Sequence, residues 1–317
     1  MRRLGILLLL LSCAPVISPR ELMLRQHAAL ENGVLLDAIR LGRARVRQTP
    51  TNAAAHYDLA CALARSGDAD EALVSLRAAI THGFDAPGFL TRDPDLEPLR
   101  KRPEFVELTQ LAAKVEREGA PLDGVRTVVR LELPTPLRLR LPRAGRPKLA
   151  LWLHPFGARL NADIEQLAPV LAAHGYALAV PITLDGPGWT EFSLHALLDE
   201  SVPALDDLVD VSHPLLIGLS AGSHAALAAW AREPNRFSAV FAGACAPELH
   251  GASLPAAGAP VFVLNGERDA STRLWRDALP RWQGVRRRVE VRILPGYGHE
   301  FVFDEAELTL LLQHLAR

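Results

Sequence analysis

The sequence predicts a two-part chain, in which an all-helical region precedes an α/β domain. The chain has 317 residues, 49% of them hydrophobic, which is enough for two domains with a full core. Residues 19–119 are rich in Ala, Leu, Arg and Glu at helical spacing. Residues 124–317 instead alternate short apolar runs with helical patterns, which is typical of a mainly parallel sheet covered by helices on both faces. The Pro-, Asp- and Gly-containing segment 120–124 predicts the linker between them.

Composition excludes several classes of protein. The formal net charge is −1 and the basic residues are dispersed, so no nucleic acid is expected among the partners. The three cysteines, Cys13, Cys61 and Cys245, are too few for a disulfide framework or a cysteine-rich zinc site.

Residues 1–18 have the layout of a signal for export. Two arginines precede the apolar run 4–11, which is too short to cross a bilayer as a helix. The sequence Leu10-Leu11-Ser12-Cys13 resembles the lipoprotein box of bacterial envelope proteins, in which the cysteine becomes the lipidated first residue. This resemblance implies that Cys13 carries a lipid anchor on a membrane of the cell envelope. A secreted or periplasmic protein is the alternative, and an uncleaved start is a third.

Within residues 19–119, small and apolar residues recur at the spacing of tetratricopeptide repeats. One copy covers residues 56–79, with Ser66-Gly67-Asp68 as the turn between its two helices. Ala38 precedes Ala72 by one repeat period of 34 residues, which predicts an earlier, degraded copy. About three repeats are needed for such an array to be stable alone. We therefore expect the helical part to pack on the α/β part and to offer a surface for a protein partner. A small helical bundle without a groove is the alternative.

Four segments of the α/β part place polar groups after apolar runs. In Gly218-Leu219-Ser220-Ala221-Gly222 a strand turns sharply into an Ala-rich helix, so Ser220 stands at a helix N-terminus and small neighbours allow close packing. Asp269 follows the buried run 261–264, and His299 lies in a glycine-rich loop after the last predicted strand. The fourth segment, His154-Pro155-Phe156-Gly157, follows an early strand.

These segments, with serine, aspartate and histidine in that order along the chain, resemble the α/β-hydrolase family over residues 124–317. The resemblance implies acyl transfer to water through an acyl-enzyme, with neither a metal nor a cofactor. Ser220 would be the nucleophile, His299 the general base, and Asp269 the acid that orients the imidazole. A helix N-cap is the alternative role for the aspartate.

The resemblance also implies an oxyanion hole built from two backbone N–H groups. One belongs to Ala221, which follows the nucleophile, and the other to Phe156 in the early loop. Pro155 replaces the glycine that is commoner in that loop. His154 is expected to shape the loop, and Trp189 either lines the pocket or packs on the surface.

The sequence thus predicts a serine hydrolase of the cell envelope, resembling carboxylesterases, that cleaves an ester or thioester of a small acyl substrate. Residues 243–259 are too few for a helical lid, so the site should be open or roofed by the helical part. A peptidase-like hydrolase is the first alternative. The second is a non-enzymatic envelope adaptor that binds a partner through its repeats, but Ser220, Asp269 and His299 are all present, which favours the enzyme.

Overall fold

The computed structural model describes residues 17–156, 161–182, 188–249, 251–285 and 288–316. Cys13 and the predicted signal before residue 17 lie outside these residues, as does Gly157 of the early loop. Within the described ranges, no helix has both the length and the apolar composition that a bilayer crossing requires.

The N-terminal part is all-helical, as predicted. Its elements are α1 (Pro19–Glu31), α2 (Leu35–Gln48), α3 (Ala53–Ser66), α4 (Ala69–Thr81), α5 (Pro87–Arg92), a 3-10 helix (Pro94–Leu99) and α6 (Pro103–Glu118). Helices α1 and α3 begin at side-chain caps, since Ser18 accepts from the N–H of Glu21 and Asn52 from that of Ala55. Gly67 closes α3 with φ of 92°, a conformation that glycine adopts without strain. Whether these helix pairs are tetratricopeptide repeats stays a prediction.

An eight-stranded sheet follows, in the order β1-β2-β4-β3-β5-β6-β7-β8. The strands are β1 (Val125–Arg130), β2 (Leu137–Pro142), β3 (Lys148–Leu153), β4 (Tyr176–Pro181), β5 (Asp210–Leu219), β6 (Ala239–Gly243), β7 (Val261–Gly266) and β8 (Val289–Leu294). Strand β2 is antiparallel to β1 and β4, and all other neighbours are parallel. This confirms a mainly parallel sheet with an antiparallel edge, the α/β-hydrolase arrangement.

Helices cover both faces of the sheet. They are α7 (Asn161–Gln166), α8 (Ala168–Ala173), α9 (Glu191–His195), α10 (Ala221–Arg232), α11 (Ser271–Val285) and α12 (Glu305–Leu315). One apolar core contains Trp230 of α10 and Trp275 of α11, and the opposite one contains Leu171 of α8 and Leu308 of α12. The apolar strands are buried on both sides because each face has its own helical layer.

The helical part packs against strand β2 through buried charges. The guanidinium of Arg138 donates to Asp85 at 2.7 Å and to Glu165 of α7 at 2.6 Å. Arg140, two residues on, donates to the other oxygen of Glu165 at 2.6 Å. Arg138 also donates to the backbone carbonyls of Val115 and Glu116 in α6. Each carboxylate thus meets a cation, which offsets the cost of burying these charges at the junction.

Candidate active site

The turn between β5 and α10 holds Ser220 in a backbone conformation that only tight packing maintains. Ser220 has φ of 51° and ψ of −116°, which is unfavourable for a residue with a side chain. A Cβ on Gly222 would lie 1.8 Å from the carbonyl oxygen of Leu153 at the end of β3. One on Gly218 would lie 2.5 Å from the carbonyl oxygen of Gly222. The two glycines therefore let α10 start directly against the sheet, with the serine at its apex.

The structure brings the three predicted polar side chains together. Nε2 of His299 lies 2.9 Å from Oγ of Ser220, and Nδ1 lies 2.8 Å from Oδ2 of Asp269. The aspartate side chain is 3% exposed and the histidine side chain 57% exposed. With its proton on Nδ1, the imidazole donates to the carboxylate and can accept the serine proton at Nε2. This arrangement can generate a nucleophilic serine oxygen.

Two residues that the sequence analysis did not single out fix the carboxylate. Oδ1 of Asp269 accepts from the backbone N–H of Ser271 at 2.8 Å and from its hydroxyl at 2.6 Å. The amide of Asn265 in turn donates to that hydroxyl at 2.7 Å. Burial opposes the charge, but the hydrogen bonds from Ser271 and His299 outweigh it and hold the pKa of Asp269 below its ordinary value.

Asp269 can both cap helix α11 and orient the imidazole of His299. One oxygen binds the first turn of α11 through Ser271, as the N-cap alternative supposes, while the other faces the histidine. A serine two residues after an aspartate at a helix start is the sequence signal that predicts such a turn.

The loops that carry the aspartate and the histidine are packed against each other. A Cβ on Gly266 would lie 2.3 Å from the carbonyl oxygen of Gly298. The N–H of Arg268 donates to the carbonyl of Tyr297 at 2.8 Å, and that of Glu267 to the carbonyl of Leu294 at 3.0 Å. These backbone contacts set the separation of the two side chains.

The predicted oxyanion residues lie at the same edge of the sheet. Ala221 is the first residue of α10, and the close approach of Gly222 to the end of β3 brings that helix start beside the early loop. Phe156 follows β3, and its side chain is 68% exposed. The roles of the two N–H groups stay a prediction.

His154 and Trp189 support the early loop. The indole N–H of Trp189 donates to the carbonyl of His154 at 2.9 Å, and the two rings are 4.8 Å apart. Burial lowers the pKa of His154, which keeps that imidazole neutral. Both residues therefore hold the loop that bears Phe156.

The surroundings of two other polar residues, Cys245 and His195, favour a structural role. Cys245 is buried after β6, and burial raises the pKa of its thiol to about 12, so a thiolate nucleophile is not formed there at neutral pH. His195 lies on the surface and contacts Asp199 at 2.7 Å. Among the described residues between β6 and β7 there is no helix, so no helical lid arises from that segment.

One comparison with known protein families matches the helical part of the chain. A family model described as "A/B hydrolase-like, N-terminal domain" matches residues 21–120, which are the helices before the sheet. No curated relative matches the chain.

Several solved structures are distantly similar to this chain. An uncharacterized protein from Bacillus cereus is 17% identical, with 94% of this chain and 99% of that chain covered and a TM-score of 0.44. A dienelactone hydrolase from Anabaena variabilis is 22% identical over 60% of this chain and 95% of its own, with a TM-score of 0.45. An S-formylglutathione hydrolase from Agrobacterium tumefaciens is 12% identical over 62% and 95%, with a TM-score of 0.46. At this distance the likeness says nothing of substrate.

Proposed function

We propose that this chain is a serine hydrolase that cleaves an ester or thioester of a small acyl substrate. One observation carries the proposal: the imidazole of His299 bridges Ser220 and Asp269 at 2.9 and 2.8 Å, with the serine on a strained strand-to-helix turn. Strained backbone conformations persist only where the surrounding structure holds them, and they cluster at active sites. A serine that served only in packing would not require such a turn.

The reaction proceeds in two half-reactions. Oγ of Ser220 attacks the acyl carbon while its proton passes to Nε2 of His299, and Asp269 stabilises the resulting imidazolium. The N–H groups of Ala221 and Phe156 bind the oxyanion, each such donor contributing roughly 2.7–4 kcal/mol. The intermediate collapses, the alcohol or thiol leaves with the proton from Nε2, and an acyl-serine remains. Water, deprotonated by the same nitrogen, then releases the acid and restores the serine.

The surroundings of the histidine support a small, water-accessible substrate. The side chain of His299 is 57% exposed, and the described residues of the β6–β7 connection form no helical roof. Long free acyl chains gain from an enclosed apolar cavity, so short acyl groups fit an open site better.

Hydrolysis of p-nitrophenyl acetate, butyrate and decanoate by the full chain tests this proposal. We expect turnover to be highest on the short esters and to vanish in Ser220→Ala. We expect Asp269→Asn to lower kcat by about 10⁴-fold, because the imidazole loses the partner that fixes its tautomer. Asp277→Asn, on the exposed face of α11, is the matched control. Cleavage of a peptide p-nitroanilide in preference to every ester would support the peptidase alternative instead.

We also propose that the protein is a lipoprotein of the cell envelope, anchored through Cys13, whose helical part binds a protein partner. The sequence of residues 1–13 supports the anchor, and the all-helical N-terminal part supports the partner surface. Labelling of cells with radioactive palmitate should mark the wild-type chain and leave Cys13→Ala unlabelled. A Cys13→Ala chain that still incorporates palmitate would refute the anchor.

A further inference from the structure

Arg20, at the start of α1, reaches out of the helical part to the loop that carries His299. Its Nε donates to Oε1 of Glu300, 280 residues away, at 3.0 Å. One terminal nitrogen donates to both Glu300 and the carbonyl oxygen of Gly296. The guanidinium carbon lies 3.6 Å from the centroid of the Tyr297 ring. Arg20 thus contacts both flanks of the histidine through two hydrogen-bond acceptors and one aromatic face.

The acceptor of Arg20 is itself part of the loop's internal bonding. Oε1 of Glu300 also accepts from the backbone N–H of Gly298 at 3.2 Å, so one carboxylate oxygen joins Arg20 to both residues adjacent to His299. The far end of the loop is held from the aspartate side, where Glu267 accepts from the N–H of Gly296 at 2.9 Å. The loop is therefore held on two sides. The segment after β7 holds one side, where Arg268 also donates to the carbonyl of Gly296, and Arg20 of α1 holds the other.

Helix α1 is capped at its start and packed into the helical part. Ser18 caps it, and Leu22 is buried in the helical part at 3% exposure. The side chain of Arg20 is 23% exposed and that of Glu300 16% exposed, so the pair is partly shielded from water. Its electrostatic attraction is therefore screened less than that of an ion pair on the surface.

We propose that Arg20 is a positioning residue for His299, so that the helical part holds the histidine at hydrogen-bond distance from Ser220. This rests on the proposed hydrolase function. The imidazole is more than half exposed, so its place depends on the loop that carries it. A displacement of about 1 Å is enough to lower turnover by about a hundredfold. Binding of the substrate, which does not involve Arg20, is unaffected.

Kinetics of the full chain with p-nitrophenyl acetate test the inference. For Arg20→Met we expect kcat to fall about 10- to 100-fold with KM within about twofold of wild type. Arg25→Met, also in α1, removes an exposed pair with Glu21 and should leave both constants unchanged. Arg20→Lys should recover part of the loss, because an ammonium pairs with Glu300 but cannot also lie flat on Tyr297.

A melting curve and a double-mutant cycle separate positioning from folding. We expect the Tm of Arg20→Met to match that of Arg25→Met within about 2 °C. Adding Glu300→Gln to Arg20→Met should cause no further loss of kcat, because both changes break the same contact. An unchanged kcat in Arg20→Met, or a loss that follows KM or Tm, would overturn the inference.

A spectroscopic readout tests the inference without turnover. The Nδ1 proton of His299 exchanges slowly with water only while it is bonded to Asp269, so its ¹H NMR signal should be present in wild type and Arg25→Met and lost in Arg20→Met. A signal retained in Arg20→Met would contradict positioning by Arg20. A wild-type chain that shows the signal and hydrolyses no ester would instead refute the proposed function alone.

Discussion

Ser271 determines how Asp269 faces the histidine. Its hydroxyl and N–H both bind Oδ1 and leave Oδ2 for His299. We expect Ser271→Ala to lower kcat on a short ester by about 10- to 100-fold, since a hydrogen bond to a charged group contributes about 1.5–3 kcal/mol. Ser212→Ala is the control, because that hydroxyl donates in the same way to Asp210 at the opposite end of β5. Equal activity of the two variants would show that Ser271 does not orient the carboxylate.

The sequence alone indicates the three residues that the structure brings together, but not the residues that hold them in place. Ser220, Asp269 and His299 each lie in a motif with its own local signature, and their order adds information that no single motif has. Arg20 has no such signature, because its contact with Glu300 joins residues 280 positions apart and exists only once both parts have packed.

At the scale of elements, the close packing of α10 on β3 depends on Gly222. We expect Gly222→Ala to abolish activity and to destabilise the chain severely, because the new methyl group would lie 1.8 Å from a backbone oxygen that cannot move aside. Gly284→Ala is the matched control. Its Cβ meets nothing within 4 Å, and alanine in α11 should stabilise by about 0.5–1 kcal/mol. Urea unfolding followed by circular dichroism measures both, and a Gly222→Ala chain as stable as wild type would contradict this packing.

Strand β2 shows what alternation alone does not predict. Its Leu-Arg-Leu-Arg-Leu pattern correctly predicts a strand of the antiparallel edge, and a solvated polar face is the ordinary expectation for such a pattern. Instead Arg138 and Arg140 are 1% exposed, because the helical part and α7 cover that face. Asp85 pairs with Arg138, and Glu165 of α7 pairs with both arginines. The partner of each arginine lies on another element, so periodicity carries no information about it.

Residues 194–209 have helical spacing in the sequence, but they do not form one continuous α-helix. Helix α9 ends at His195, a π-helical turn spans Ala196–Ser201 and a short 3-10 helix covers Pro203–Leu205. Pro203 has no N–H to donate to the carbonyl of residue 199, which disfavours a regular α-helix at this point.

At the scale of the whole molecule, the junction between the two parts carries buried carboxyl groups. Burial raises the pKa of Asp85, and also that of Asp163 in α7, to about 6 from an ordinary value of 3.8. Arg138 opposes the shift in the first and Arg45 in the second. The folded protein therefore binds protons more tightly than the unfolded chain between about pH 4 and 6. This proton binding stabilises the folded protein fully below the pKa of the unfolded chain, and the stabilisation is lost as the pH rises through 6.

We expect the contribution of these two carboxyl groups to the free energy of unfolding to fall by about 1–3 kcal/mol between pH 5 and 7.5, less than the full shift implies because water reaches part of Asp163. Asp163→Asn should reduce this slope, since it removes one of the two titrating groups, while the exposed Asp277→Asn should leave it unchanged. Urea unfolding across this pH range is the measurement. A slope that Asp163→Asn leaves unchanged would contradict the assignment.

The central claim is that Ser220 is a nucleophile activated by His299 and Asp269. Reaction of the folded chain with a fluorophosphonate, followed by intact-mass measurement and peptide mapping, tests it most directly. The account predicts one adduct per chain, on the peptide that contains Ser220, and none on Ser220→Ala or on heat-unfolded protein. A folded chain that stays unlabelled, or a label that persists in Ser220→Ala, would contradict it and favour a non-enzymatic adaptor.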